Sequence, residues 1–375
     1  MIKHLERAGV ECWLLHVLGH VDRSRFQMNL AVRDLERTPL VDEFEALGCE
    51  VYSLARRPGR PTFAGALRDI VFGSGPYDIV HCHNQFNRGY VLKLAKRFGI
   101  PVRVAHSHNA PVGNTTTMRR IRVASRNRYL ARLWNAGIAC SMPAAQELFG
   151  DSWRENPRIR LVYCGIDIEP FRAARPDIAV RAELGIPADA FVVGHVGRFV
   201  YQKNHGYLID IAAEACRRRD NLRFLLLGDG DMKHDMMDRV SDRGLSDRVI
   251  FLGQRADAPR LIAGAMDAFC LPSLYEGLPL VGMEAQAAGL PMLVSDTITS
   301  EMDAVPQLVR RLSIQLSAAD WAGDLLEMAA NKPAITRSQA FEAMQAGPFN
   351  IDNSVASLQA FYEERLAQSA RALPR

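Results

Sequence analysis

Short apolar runs alternate with stretches of helical periodicity along most of the chain. In the first half, Gln27–Val32, Val51–Ser53, Asp78–His81, Val102–His106, Ala136–Cys140 and Ile159–Val162 read as strands. Glu11–His20, Leu40–Leu47 and Gly89–Phe98 carry the 3.6-residue period of helices. The second half repeats the logic, with strands expected at Phe191–Val196, Arg223–Gly228, Val249–Leu252, Ala268–Leu271 and Met292–Ser295. Alternation of this kind with short connections predicts α/β architecture, a parallel sheet covered by helices in each half. The Pro- and charge-rich stretch from Phe171 to Ala188 fits an interdomain connection, and Gly347-Pro348 breaks the chain before a last helical pattern, Val355–Leu366.

Size agrees with that division. A chain of 375 residues exceeds what one compact core usually holds. Its 48% hydrophobic and 23% charged content is ordinary for a globular protein. The seven cysteines are odd in number and scattered, which points to a reducing compartment and gives no disulfide or zinc framework. Neither a secretory leader pattern nor a membrane-spanning apolar run is present, so a cytoplasmic protein, at most peripheral on a membrane, is expected.

Net charge is +4, unevenly spread. Between Asp78 and Glu147 there are eleven Lys or Arg and no acid. Six arginines, Arg119, Arg120, Arg122, Arg126, Arg128 and Arg132, fall in one expected helix, with Met118, Ile121, Tyr129, Leu133 and Trp134 as its apolar side. Such a helix either lies on anionic headgroups or is an ordinary solvated face. It lacks the interleaved aromatics of a nucleic-acid platform, so no nucleic-acid partner is expected.

Two segments carry the chemistry. In Leu271–Asp296, LPSLYEGLPLVGMEAQAAGLPMLVSD, a buried strand ends, Gly277 permits a turn, Pro279 suits a first helical turn, and Gly289-Leu290-Pro291 ends the helix. Glu276 then belongs to the strand-to-helix loop and Glu284 to the first turns of the helix, at the end of the sheet where open α/β folds bind ligands. Amides near Gly277 and Leu278 add an anion site. Glutamates at this spacing usually mark only a solvated helix face; a second motif changes the balance. In Gly194–His205, GHVGRFVYQKNH, Gly197 ends a strand, and Arg198 and Lys203 occupy the loop before the next helix. A planar guanidinium and a compact ammonium beside a carboxylate-lined crevice suit a diphosphate bearing a sugar.

GRFVYQKNH, LLLGDGD, FLGQRAD, PSLYEGLPLVGMEAQAAGLP and SDTITSEMD, with DIVHCH, PVRVAHSHN and VYCGIDIEPF in the first half, together resemble the retaining glycosyltransferases of the large group 1 family. The capsule and exopolysaccharide branch is most similar. The resemblance implies a GT-B architecture: two Rossmann-like domains, 1–172 and 173–350, facing across a deep cleft, with 351–375 returning to the first domain. It also implies that Arg198 and Lys203 hold the donor diphosphate, Glu276 the transferred sugar and Glu284 the ribose. Gly253, Gln254 and Arg255 would contribute at the nucleotide, and a strand-end histidine, His106 or His108, at the reaction centre. The nucleoside diphosphate sugar, expected to be UDP-hexose or UDP-N-acetylhexosamine, is a co-substrate, and neither cofactor nor metal is expected. The acceptor would be a glycan or a lipid diphosphate.

One departure stands out. Family members open with a strand running into a glycine-rich loop; here only MIKHLE precedes Arg7–Glu11, which resembles that loop and includes Gly9. A shortened central strand would leave buried backbone groups of its neighbours unpaired. It implies either a start further upstream or a compromised, non-catalytic binding homologue. The pairs His81/His83 and His106/His108 raise a metal-dependent hydrolase as a further alternative, although no acid lies near them in sequence. Asp229-Gly230-Asp231 reads as a glycine turn, since the dinucleotide fingerprint lacks its third glycine.

Overall fold

The computed structural model describes residues 1–55, 62–83, 87–108, 117–331 and 333–371, with side chains in the helix starting at Thr117 described from Arg122 onward. The chain forms two units: Met1–Gly165 with Ile351–Arg375, and Ile166–Asn350. The first boundary therefore falls at Gly165 instead of at 172, and the Pro-rich stretch belongs to the second unit, where Ile178–Glu183 is helical.

In the first unit the strands are β1 (Leu30–Val32), β2 (Val51–Ser53), β3 (Ile79–Cys82), β4 (Val102–Ser107), β5 (Ala136–Ala139) and β6 (Ile159–Leu161). β1 pairs with β2, and β3 to β6 pair in chain order, all parallel. Between the two sets lies Met1–Lys3. Ile2 bridges Val32 of β1, while the Met1 amino group donates to His81 O and its carbonyl accepts from His83 N. Met1–Lys3 thus joins the two sets through an isolated bridge and single backbone bonds. Arg7-Gly9 does not make a glycine-rich loop: Gly9 already begins the helix Gly9–His20 and is exposed. Helix Ile351–Arg371 packs into this unit, with Trp13 Nε1 donating to Ser354 Oγ at 3.3 Å and Ser354 Oγ to Tyr163 O at 2.6 Å.

The second unit holds β7 (Phe191–Val196), β8 (Leu222–Leu227), β9 (Val249–Gly253), β10 (Ala268–Leu271), β11 (Met292–Ser295) and β12 (Val309–Leu312). They form one six-stranded sheet in the order β12-β11-β10-β7-β8-β9. Residues of β8, β10 and β11 are almost wholly buried, as expected of parallel strands covered on both faces. The chain winds outward from β7 through β8 and β9, then restarts at β10 and winds the other way. The order reverses between β7 and β10, which makes their carboxyl ends the expected ligand crevice.

The basic helix exists as Thr117–Leu130, and Leu133 and Trp134, expected on its apolar side, lie beyond its end. Leu130, Leu133 and Trp134 are buried in the core of the first unit with Leu92 and Val91, and Arg158 lies over the Trp134 ring. Arg122, Arg126, Arg128 and Arg132 remain exposed, as does Tyr129. The side chains of Met118, Arg119, Arg120 and Ile121 lie outside the described residues. No helix among the described residues is long and apolar enough to cross a membrane.

Candidate active site

At the reversal point, the loop leaving β7 and the loop leaving β10 are stitched together. Leu274 N donates to Gln202 O at 2.9 Å, and Asn204 Nδ2 donates to Pro272 O at 3.1 Å. Asn204 caps the turn Tyr201–Lys203 in the left-handed region (φ 57°), a conformation Asn tolerates better than other chiral residues, and leads into helix His205–Arg218, which packs on the sheet. Gln202 Nε2 donates to both Tyr275 O and Glu276 Oε2, each at 2.9 Å, and Lys203 Nζ lies 2.6 Å from Glu276 Oε1. Both Lys203 and Glu276 are largely buried. Two charges withdrawn from water persist only when paired and hydrogen-bonded, a condition that Gln202 completes for the second carboxylate oxygen.

Arg198 stands exposed at the same strand end, directly after Gly197. The glycines of LLLGDGD explain how its loop is held. Gly228 (φ +134°) runs so close to the β7 loop that a Cβ would lie 2.0 Å from Gly197 O, and a Cβ on Gly230 (φ +151°) would lie 2.7 Å from Phe199 O. Phe199 N donates to Asp229 O and Gly228 N to Gly253 O. The segment is therefore a glycine turn that clamps Gly197–Phe199.

Two histidines to which the sequence analysis gave no role lie beneath the pair. His195 is fully buried in β7; its Nδ1 bonds Cys270 O at 2.8 Å, and Nε2 has no hydrogen-bond partner. A Cβ on Gly197 would lie 3.2 Å from that Nε2 and 3.1 Å from Lys203 Cε, so the nitrogen faces the Lys203 stem across the glycine. Burial holds His195 neutral, its pKa down to about 4. His205, at the start of the following helix, stacks on Phe199 with ring centroids 4.0 Å apart; burial pushes it down to about 2, and neither ring nitrogen has a partner. Ser273 Oγ is a fourth buried polar atom without a hydrogen-bond partner. Orphaned polar atoms gathered around one crevice mark a place prepared for a polar ligand or water. The legible signal was GH and KNH beside the basic residues, hidden by their setting in an apolar strand and at a helix start.

The other expected residues divide. Glu284 occupies the second turn of helix Leu280–Ala287, partly exposed, and removal from water pushes its carboxyl up to about 7. Gly277 and Leu278 lie between Glu276 and that helix, with Pro279 as its N-cap. Gly253 ends β9 with φ +68°, and Gln254 is exposed. Arg255, however, is committed elsewhere: Nε and Nη2 bond the Asp257 carboxylate at 2.6 and 2.8 Å, and Glu183 lies 3.9 Å away. Its guanidinium fork is engaged locally by Asp257.

In the first unit the two histidine pairs form a ladder. His81 Nε2 and His106 Nδ1 are 2.9 Å apart, as are His83 Nδ1 and His108 Nε2, and His81 Nδ1 meets the Tyr362 hydroxyl at 2.5 Å. Burial drives His81, His83 and His106 well below the usual imidazole range. His106 has no exposed surface and takes the edge of Trp13 at 5.4 Å, so it is buried within the first unit. His108, half-buried, keeps the access His106 lacks. His81/His83/His106 and His106/His108/Cys164 each bring ligand atoms within 4.8 Å, close enough for a transition metal. Ring-to-ring hydrogen bonds already occupy four of those nitrogens.

Comparison with known proteins agrees with this geometry. Residues 2–165 match the glycosyl transferase 4-like domain and 177–343 the glycosyl transferases group 1 model. The candidate glycosyltransferase EpsF of Bacillus subtilis (strain 168) is 33% identical over 337 residues, 88% of this chain and 87% of EpsF. The chain belongs to the group 1 glycosyltransferases. Within that family it falls in the exopolysaccharide branch. An Escherichia coli UDP-Gal:alpha-D-GlcNAc-diphosphoundecaprenol alpha-1,3-galactosyltransferase is 31% identical over 59% of this chain and 58% of its own. Anabaena HepE in complex with UDP superposes with a TM-score of 0.77 at 20% identity, covering 97% of this chain and 98% of HepE, which shows the GT-B fold. The transferase thus carries a Lys–Glu pair at the switch point of its group 1 unit.

Proposed function

We propose that this transferase moves a hexose or N-acetylhexosamine from a UDP-sugar to a glycan or lipid-diphosphate acceptor, with retention of anomeric configuration and without a divalent ion. The observation that carries the reading is Lys203 on Glu276 at the strand-order reversal, with exposed Arg198 on the same loop. HepE, of the same fold, is described with UDP and with UDP-glucose, and the E. coli relative uses UDP-galactose with a lipid-diphosphate acceptor.

Breaking the anomeric C–O bond develops negative charge on the departing diphosphate. Arg198, Lys203 and amides near Gly277 and Leu278 would meet that charge, a preorganised arrangement in which one lost donor costs ~10²–10³ in rate. Glu276 would accept hydrogen bonds from sugar hydroxyls and Glu284 from the ribose. The acceptor hydroxyl would attack on the face the diphosphate leaves, its proton passing to the departing phosphate oxygen, with no covalent enzyme intermediate. His108 is the first-unit histidine assigned to the reaction centre. The exposed arginines Arg122, Arg126 and Arg128 of Thr117–Leu130 would meet an anionic membrane through charge.

Donor consumption by mass spectrometry tests this directly: a panel of nucleotide sugars, lipid extract as acceptor, and excess EDTA. Consumption of a UDP-sugar that survives the chelator is expected. Titrated UDP that fails to bind, or turnover abolished by EDTA and restored by a metal, overturns the reading.

A further inference from the structure

His106 in β4 and His108 just past its end each keep one ring nitrogen that the histidine ladder does not use. His106 Nδ1 meets His81, while its Nε2 is buried and has no hydrogen-bond partner. His108 Nε2 meets His83, while its Nδ1 lies 3.8 Å from Cys164 Sγ. Strand alternation puts the two rings on one face. One ligand atom each from His106, His108 and Cys164 lies within 4.8 Å of the other two.

Cys140 brings a second thiol to the same place. Its N–H donates to Ser107 O at 3.1 Å, one step past the pairing of Ser107 with Ala139, so it stands level with His108. Its side chain is hydrogen-bonded to both Cys164 and His108. Cys164 follows β6, the next strand of the sheet, and both thiols are buried. The carboxyl ends of three neighbouring strands therefore gather two thiols and two imidazoles.

That donor set names its ligand. Two thiolates and two imidazoles bind zinc tetrahedrally, at about 2.3 Å to sulfur and about 2.0 Å to nitrogen. Ligand atoms around such an ion stand roughly 3.3–3.8 Å from one another, a small contraction of the spacing seen here. The ladder supplies the outer shell, since a ligating imidazole is oriented by the hydrogen bond of its other nitrogen. For His106 that bond goes to His81, itself braced on the Tyr362 hydroxyl, and for His108 it goes to His83.

We infer that His106, His108, Cys140 and Cys164 form a structural site for a thiophilic divalent ion, zinc by preference, which ties together the ends of β4, β5 and β6. The ion would be held by His106 Nε2, His108 Nδ1 and the two sulfurs, each thiol losing its proton on binding. Four protein ligands close the coordination sphere, as in structural sites and not catalytic ones. Coordination at Nδ1 also fixes the His108 proton on Nε2. The site is built by the first unit alone and stands whether or not the proposed transfer does.

Reduced protein tests this by metal content, zinc titration against a chromophoric chelator, and thermal unfolding. About one zinc per chain is expected, with Tm about 5 °C or more above that of the chelated protein. Cobalt in place of zinc should give a sulfur-to-metal charge-transfer band. Cys140→Ser and Cys164→Ser should each weaken zinc binding by about a hundredfold or more, and the double variant should lose the cobalt band. Cys12→Ser should keep both. Failure of the reduced wild-type chain to take up zinc overturns the inference, a result that needs no variant to fold. So does equal uptake by the wild type and the double variant. UDP titrated into the same samples separates the two readings. Zinc held by the thiols with no UDP bound removes only the transfer proposal, and UDP bound with no zinc removes only this one. In EDTA, turnover lost together with Tm reports this site, whereas turnover lost at unchanged Tm reports an ion at the diphosphate.

Discussion

The ammonium of Lys203 lies 2.6 Å from Oε1 of Glu276, and Gln202 holds the other oxygen of the same carboxylate at 2.9 Å. Without donor, the cation proposed for phosphate and the acid proposed for sugar thus neutralise one another. Donor binding must share or exchange that contact, and the Gln202 bond keeps Glu276 in place while Lys203 turns to the diphosphate.

Lys203→Ala should lower turnover by ~10²–10³. It should also destabilise the fold by about 3 kcal/mol, because one partner of a buried pair is left behind. Lys203→Ala/Glu276→Gln should recover most of the stability and none of the transfer. Urea unfolding and donor consumption measure the two separately; recovery of transfer in the double variant would reduce the pair to a structural role.

Arg198 differs because it is exposed. Arg198→Ala should change unfolding by less than ~0.5 kcal/mol while turnover falls ~10²-fold or more. Wild-type turnover in this variant would remove Arg198 from the diphosphate site.

Glu284 gives a pH signature. Burial raises its folded pKa to about 7 from an ordinary value of 4.5, so the protonated form suits the folded state better. Its contribution to stability is therefore full below about pH 4.5 and lost as pH rises to about 7. Ribose hydroxyls need the ionised form as acceptor, so UDP affinity should rise over the upper part of that range. Glu284→Gln should flatten both profiles, as calorimetric titration and urea unfolding from pH 5 to 8 would reveal.

Gly228→Ala should be damaging although it touches no ligand. Its φ of +134° disfavours any side chain, and the new methyl would meet Gly197 O at 2.0 Å. A loss of about 2 kcal/mol or more in stability, with weaker UDP binding, is expected from displacement of the Arg198 loop. Unchanged UDP affinity would show that the clamp does not position that loop.

Tyr362→Phe removes the hydroxyl at His81 Nδ1 and leaves a buried ring nitrogen unpaired. Stability should fall by about 1–2 kcal/mol, while UDP affinity stays constant because the group 1 unit is untouched. Reduced UDP affinity in a fully folded variant would contradict that separation.

Strands buried on both faces were readable residue by residue. β7, β10 and β11 have the expected bounds because a largely apolar run leaves little choice; β2 has them too, though it is only partly buried. β12, VRRL, was invisible: two arginines interrupt an edge strand, and only its pairing with β11 makes it one. Helices such as Phe63–Gly73, Ala258–Ala265 and Ala318–Ala330 also went unread, although Thr62 and the Ser317–Asp320 capping box mark the starts of two of them. At the site, Glu276 with Lys203 was legible because strand-end loops in adjacent strands converge. Sequence shows Arg255 as a cation but not that Asp257, two residues on, pairs with it. For His106, strand alternation says which face a ring takes, not how deeply Trp13 covers it.

The reversal of strand order has a temporal consequence. Lys203 and Glu276 stand 73 positions apart in the chain, and β8 and β9 must emerge before β10 can lie down beside β7. A polypeptide still on the ribosome and ending short of β10 would hold the basic loop without its acidic counterpart, so nucleotide capture should arise abruptly, late in synthesis, rather than accumulate strand by strand.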